Sequence, residues 1–189
     1  DYLKEGIAHT LDETRNLSDS GQFEDISLQQ GIRQILYPYE EMEVLNPEWE
    51  VILKDIIDSL FEQMSYEEYN ILNEEFGTYM VSRAYEYRQL LEYLVFRYFA
   101  KSIYDYDFLG KCQMLVTNFF VIRQMDIIRW LDNHREYSFK DRMDVVHIFS
   151  RQVEYSEDNI ENLYEDFIFD DIFKTDSLIA ILWIDSENI

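Results

Sequence analysis

Ser82-Arg-Ala-Tyr-Glu-Tyr-Arg-Gln-Leu-Leu-Glu-Tyr-Leu-Val-Phe-Arg-Tyr-Phe-Ala-Lys-Ser-Ile-Tyr104 is the stretch whose periodicity decides the fold. Tyr87, Leu90, Leu91, Leu94, Val95, Tyr98 and Phe99 recur at the i, i+3, i+4, i+7 spacing that paints one face of a helix. Arg83, Glu86, Arg88, Glu92 and Lys101 fall largely elsewhere. After a break at Asp105-Tyr106-Asp107, a second segment runs from Phe108 to about Asn133 and carries Leu109, Cys112, Val116, Phe119, Phe120, Ile127 and Trp130. Its inner run, Met114 to Ile122, is bracketed by Lys111 and Arg123 and falls short of the ~18 apolar residues of a membrane span. It reads as a helix buried on most sides.

A third helix is expected after Ser138, an N-cap with Asp141 three residues on, ending near Glu154. A fourth begins near Ser156, where Glu157 and Asp158 suit the positive end of a helix dipole, and carries Ile160, Leu163, Tyr164 and Phe167. Ser177 to Ile184 is a short helix or a strand. Toward the N-terminus, Pro47 introduces Glu48 to Met64, and Ser65 caps Tyr66 to Met80. Leu28 to Tyr37 and Tyr2 to about Leu17 read as further helices, and residues 16–25, the most polar stretch, as a mobile loop. The fold class is therefore all-α: residues 1–189 form one multi-helix bundle of about seven or eight helices. Its central helices are Arg83–Tyr104, Phe108–Asn133 and Ser138–Glu154.

Composition agrees with this reading and narrows function. Five Gly and two Pro cannot supply the many tight turns of a sandwich or doubly wound sheet. With 39 Asp and Glu against 16 Lys and Arg, the formal net charge is −23, which excludes direct binding to nucleic-acid phosphates or an anionic membrane surface. A content of 47% hydrophobic and 16% aromatic residues excludes disorder. One cysteine, Cys112, forbids an internal disulfide and points to a reducing, cytoplasmic setting. The chain opens at Asp1 without Met or a signal peptide and is expected to be the C-terminal part of a longer protein.

Few chemical motifs are present. The scattered glycines form no phosphate-cradling loop. Asp144-Val-Val-His147 places an acid and an imidazole one turn apart, but a carboxylate-bridged di-iron bundle needs two such pairs, so no metal is expected and His147 reads as a core or rim residue. Cys112 reads as a small inert hydrophobe on its helix stripe. The tyrosines crowded between Tyr85 and Tyr106 read as core, or as a groove for a partner helix.

Leu90 to Asp107, Gly110-Lys111, Val121-Ile-Arg123, Arg129-Trp-Leu131 and Asp144 to Asn159 together resemble the C-terminal helical region of the flagellin lysine-N-methylase family of bacteria. Ser150-Arg151-x-x-Glu154 and Ser156-Glu157-x-Asn159 resemble it most, and Leu45-Asn-Pro-Glu-Trp49 and Tyr85-Glu86 are similar to its middle part. The resemblance implies methylation of lysine side chains on flagellin, or another Lys-bearing protein, with S-adenosylmethionine as donor. It also implies a metal or iron–sulfur centre in an N-terminal cysteine cluster, which nothing in this chain matches. This part is then expected to serve substrate recognition or support, and whether it is itself an enzyme stays open. The polar groups where the likeness is strongest, Arg97, His147, Arg151, Glu154 and Asn159, are the candidate substrate- or cofactor-binding residues. A different class of function also fits the charge: a non-enzymatic acidic interaction module, such as a nucleic-acid mimic.

Overall fold

The computed structural model describes residues 27–187, so the expected helix from Tyr2 and the expected loop at 16–25 lie outside the described residues. The described chain is an all-α multi-helix bundle, with no strand among the described residues. Its α-helices are α1 (Leu28–Glu40), α2 (Pro47–Ile56), α3 (Tyr66–Met80), α4 (Ala84–Phe99), the short α5 (Ser102–Asp105), α6 (Phe108–Asp132), α7 (Phe139–Phe149), α8 (Glu157–Phe169) and α9 (Thr175–Glu187). Ser177 to Ile184 is thus helical.

The starts follow from local chemistry. Ser27, Ser65 and Ser138 each accept a hydrogen bond from the backbone N–H three residues on, and the side chains of Gln30, Glu68 and Asp141 accept one in turn from the serine amide. These are three full capping boxes, each worth about 1 kcal/mol of helix stability. Asn46 caps α2, where Pro47 occupies the first turn and loses no needed N–H. Helix α1 runs on through Pro38 to Glu40; the proline sits in the last turn, so its missing N–H leaves only the Gln34 carbonyl without its helical partner.

The expected single helix from Ser82 to Tyr104 is divided. Val81–Arg83 is a 3-10 turn, α4 ends at Phe99, and Ser102 donates its hydroxyl to the Phe99 carbonyl at 2.7 Å. The chain then turns through Tyr106 in the left-handed region (φ 57°) into α6, whose N-cap Asp107 accepts from the Gly110 amide at 2.9 Å. A Cβ on Gly110 would run into that same carboxylate, so the cap needs glycine there. The apolar stripe of α4 is also narrower than its spacing predicts: Leu90, Leu94 and Tyr98 are buried, but Val95 is exposed and Glu86 is buried.

Helix α6 is the axis of the molecule. Every side chain from Val121 to Ile128 is buried, including Arg123, Gln124 and Asp126, and α1, α2, α4, α7, α8 and α9 all pack against it. Leu109, expected on its apolar stripe, is exposed instead. Trp49 lies between Tyr39 and Phe149 at ring distances of 6.4 and 6.3 Å, and Phe76 packs at a tilt against Trp130 at 5.4 Å. Two π-helical segments, Ile57–Glu62 and Ser150–Glu154, extend α2 and α7. Carbonyls of these segments take side-chain donors: Gln29 donates to Leu60, and Asn159 to Gln152; Gln29 also donates to Met64, just beyond the first segment.

Candidate functional site

Glu154, at the end of the second π-helical segment, gathers partners from α4. Tyr93 and Ser150 hydroxyls donate to its Oε2 at 2.8 and 2.7 Å, and the Tyr98 hydroxyl lies 3.3 Å from its Oε1. Arg97 Nε stands 3.9 Å from Oε1. Burial first, then Glu154, pushes the Tyr93 phenol up to about 12, so it stays protonated and acts as a donor. From Tyr98 the network runs inward: Asn118 donates to the Tyr98 hydroxyl at 3.1 Å, and Tyr39 donates to Asn118 at 2.7 Å. A half-exposed edge is thereby tied to the centre of α6.

Of the five candidate residues, Arg97 and Glu154 meet in this group. Asn159 points elsewhere: it accepts from the Glu43 amide at 3.0 Å and donates to the Glu43 and Gln152 carbonyls at 3.1 Å each. With Gln152, which accepts from the Leu45 and Asn46 amides, it pins the loop entering α2. His147 and Arg151 are exposed, so His147 is not a core residue. Among the described residues no three His, Cys, Asp or Glu side chains are placed to hold a metal ion. Cys112 is half-buried, and burial followed by the nearby Asp107 raises its thiol, which suits an inert residue.

Sequence reasoning missed a buried charged cluster. Asp126, fully buried on α6, accepts from Tyr87 at 2.7 Å and also from Tyr137 and Arg142. Glu86 takes a fork from Arg83 at 2.8 and 3.0 Å and lies 3.5 Å from Arg142 Nε. Burial alone would lower the Arg142 pKa, but Asp126 and the two phenols hold it well above its ordinary value. Nothing in the spacing reveals this, because Asp126 reads as one acid among many on an acidic chain.

The segment from the end of α4 to the start of α6 exposes many apolar side chains. Phe96, Ile103, Tyr104, Tyr106, Phe108 and Leu109 are all more than half exposed, and Phe99 packs on Phe108 at 5.1 Å to hold the corner together. Isolated exposed hydrophobes need no explanation, but a clustered set marks an interaction surface.

A family model described as the FliB lysine N-methylase C-terminal domain matches residues 1–181. The chain belongs to this family. Neither a curated protein nor a solved structure matches it. The cleft beside the apolar corner has a volume of about 590 Å³ and is bordered by Asp107, Tyr164, Phe167 and Asp176. Its size is adequate for a cofactor. Of its lining residues Asp107 caps α6, and behind Tyr164 the buried Lys111 ammonium binds Asp105 at 2.9 Å, lying 4.3 Å from the Tyr164 ring centre. Burial would lower the Lys111 pKa, yet Tyr164 and Asp105 hold it above its ordinary value, so it stays charged. No helix of the described residues is long and apolar enough to cross a membrane.

Proposed function

We propose that this domain recognises the protein substrate, flagellin or another Lys-bearing protein, for a lysine N-methylase that uses S-adenosylmethionine. The observation that carries the reading is the exposed aromatic corner from Phe96 to Leu109 on a chain of net charge −23. Apolar contact area supplies affinity, and the acidic field favours a partner rich in lysine, while disfavouring self-association through that face. In this reading the domain's part is to bind and orient the protein substrate.

Pull-down of flagellin by the wild-type chain and by a Phe96→Asp/Tyr104→Asp variant tests this. Retention by the wild type and loss by the variant supports docking at the corner. Equal retention places docking elsewhere, and no retention by the wild type removes flagellin as the partner. The acidic-module reading predicts capture of a basic DNA-binding protein, unaffected by the two substitutions.

A further inference from the structure

The cleft beside the aromatic corner joins apolar walls to polar groups that lack a protein partner. Leu109 belongs to both the corner and the cleft, so the two surfaces are continuous. Phe167 and Ile168, at the end of α8, line it as well, and Ile168 is 75% exposed. Gln113 also borders this cleft although it is only 7% exposed. Its Nε2 donates to the Phe173 carbonyl at 2.8 Å and reaches the Phe167 carbonyl at 3.5 Å. Only the NH2 end of an amide can donate to two carbonyls, which turns Oε1 away from both. Among the described residues nothing donates to Oε1, and it is not sealed from solvent, so it opens into the cleft. A buried amide oxygen in that position calls for a donor.

Charge tells which donor. Asp176, exposed in the first turn of α9, lines the same cleft and has no ion pair or hydrogen bond among the described residues. The cations close by are engaged: Lys174 binds Asp171 at 2.6 Å, and Lys111 binds Asp105 at 2.9 Å with Asp107 at 3.7 Å. Four carboxylates thus stand against two ammonium groups around the cleft. An anion is disfavoured here, because Asp107 already occupies the positive end of α6 and Asp176 offsets that of α9. Apolar walls that lead to a free carboxylate and a free amide oxygen match a methylene stem ending in an ammonium.

We propose that this cleft receives one lysine side chain of the protein that docks on the corner, its stem against Leu109, Phe167 and Ile168 and its ammonium at Asp176 and the Gln113 amide oxygen. This deepens the reading of the domain as the recogniser of a Lys-bearing protein and rests on it. The lysine is held charged, without a free electron pair on its nitrogen, so it anchors the partner and is not the amine that accepts a methyl group.

The test is an NMR titration of the wild-type chain with Nα-acetyl-lysine-N-methylamide, read at the Gln113 side-chain amide and the Ile168 methyls. The Nε-acetylated compound, which keeps the stem and loses the charge, is the control. The lysine compound is expected to shift both signals saturably, and the acetylated one to bind about tenfold more weakly or not at all. Asp176→Asn is expected to weaken binding about three- to tenfold, and Asp176→Lys to abolish it. Unmoved signals, equal binding of the two compounds, or a folded Asp176→Lys chain that binds as the wild type overturns the proposal. The comparison of the two compounds on the wild type decides the matter even where a variant fails to fold. Titration with flagellin separates the two readings. Equal flagellin affinity for wild type and Asp176→Lys sinks the cleft and leaves docking on the corner standing. A lysine compound that seats in the cleft of a chain that does not bind flagellin sinks the partner assignment alone.

Discussion

Replacing Asp126 by Asn tests whether the buried cluster, invisible in the sequence, holds α4 and α7 to α6. Asp126 is fully buried and accepts from three donors, one of them the Arg142 guanidinium. The amide keeps the shape but loses the charge, and one of its two arms now presents donors to donors. As an anionic partner Arg142 would retain only Glu86, at 3.5 Å, whose oxygens already serve Arg83. Breaking a buried pair by removing one partner costs about 3–5 kcal/mol, a large share of the ~5–15 kcal/mol that stabilises a typical domain. For a chain of this size that is a fall in melting temperature of about 6–20 °C. Urea unfolding followed by far-UV circular dichroism measures it. The Asp126→Leu/Arg142→Met pair, which removes both charges together, is expected to be less destabilised than Asp126→Asn, because no buried charge is orphaned. An Asp126→Asn loss within about 1 kcal/mol of wild type would refute the reasoning, since that is the range of an ordinary surface change.

Asn159→Ala removes three hydrogen bonds to the Glu43 and Gln152 backbones and is expected to cost about 2–3 kcal/mol, with faster hydrogen exchange at the Glu43 amide as its local mark. At Asp141, burial raises the carboxyl, but the Ser138 hydroxyl and amide and the Asn133 side chain lower it by more, so it titrates below its ordinary value. Its folded pKa is depressed, so its contribution is present above an unfolded pKa of about 3.9 and is lost as pH falls through the folded one. The stability difference between wild type and Asp141→Asn should therefore shrink on acidification below pH ~4; a constant difference would contradict the assignment. Phe96→Asp/Tyr104→Asp should leave the melting temperature within ~2–4 °C of wild type, as these side chains are 81% and 85% exposed.

How much of this was legible in the residues follows from range. Capping boxes at Ser65 and Ser138 and the first-turn Pro47 act within four residues, so the starts of α2, α3 and α7 could be read directly. The length of α6 was equally plain, because its apolar residues recur over its whole span. The division of Ser82–Tyr104 was not, since the same apolar spacing continues across Phe99, where the helix stops and the Ser102 hydroxyl takes up the Phe99 carbonyl. Arg97 and Glu154 lie 57 positions apart and were chosen from resemblance alone; their meeting depends on how α4 packs beside the end of α7. Asn159 was marked by the same resemblance, and the fold places it on the loop entering α2. The Asp126 cluster left no signal, because a buried acid differs from a solvated one only in what surrounds it.

Substrate recognition through the α4–α6 corner is the central claim, and hydrogen exchange of the wild-type chain with and without flagellin tests it most directly. Added protection of residues 93–109 is the predicted result. Bound flagellin that protects other segments, and leaves these amides unchanged, would contradict the claim.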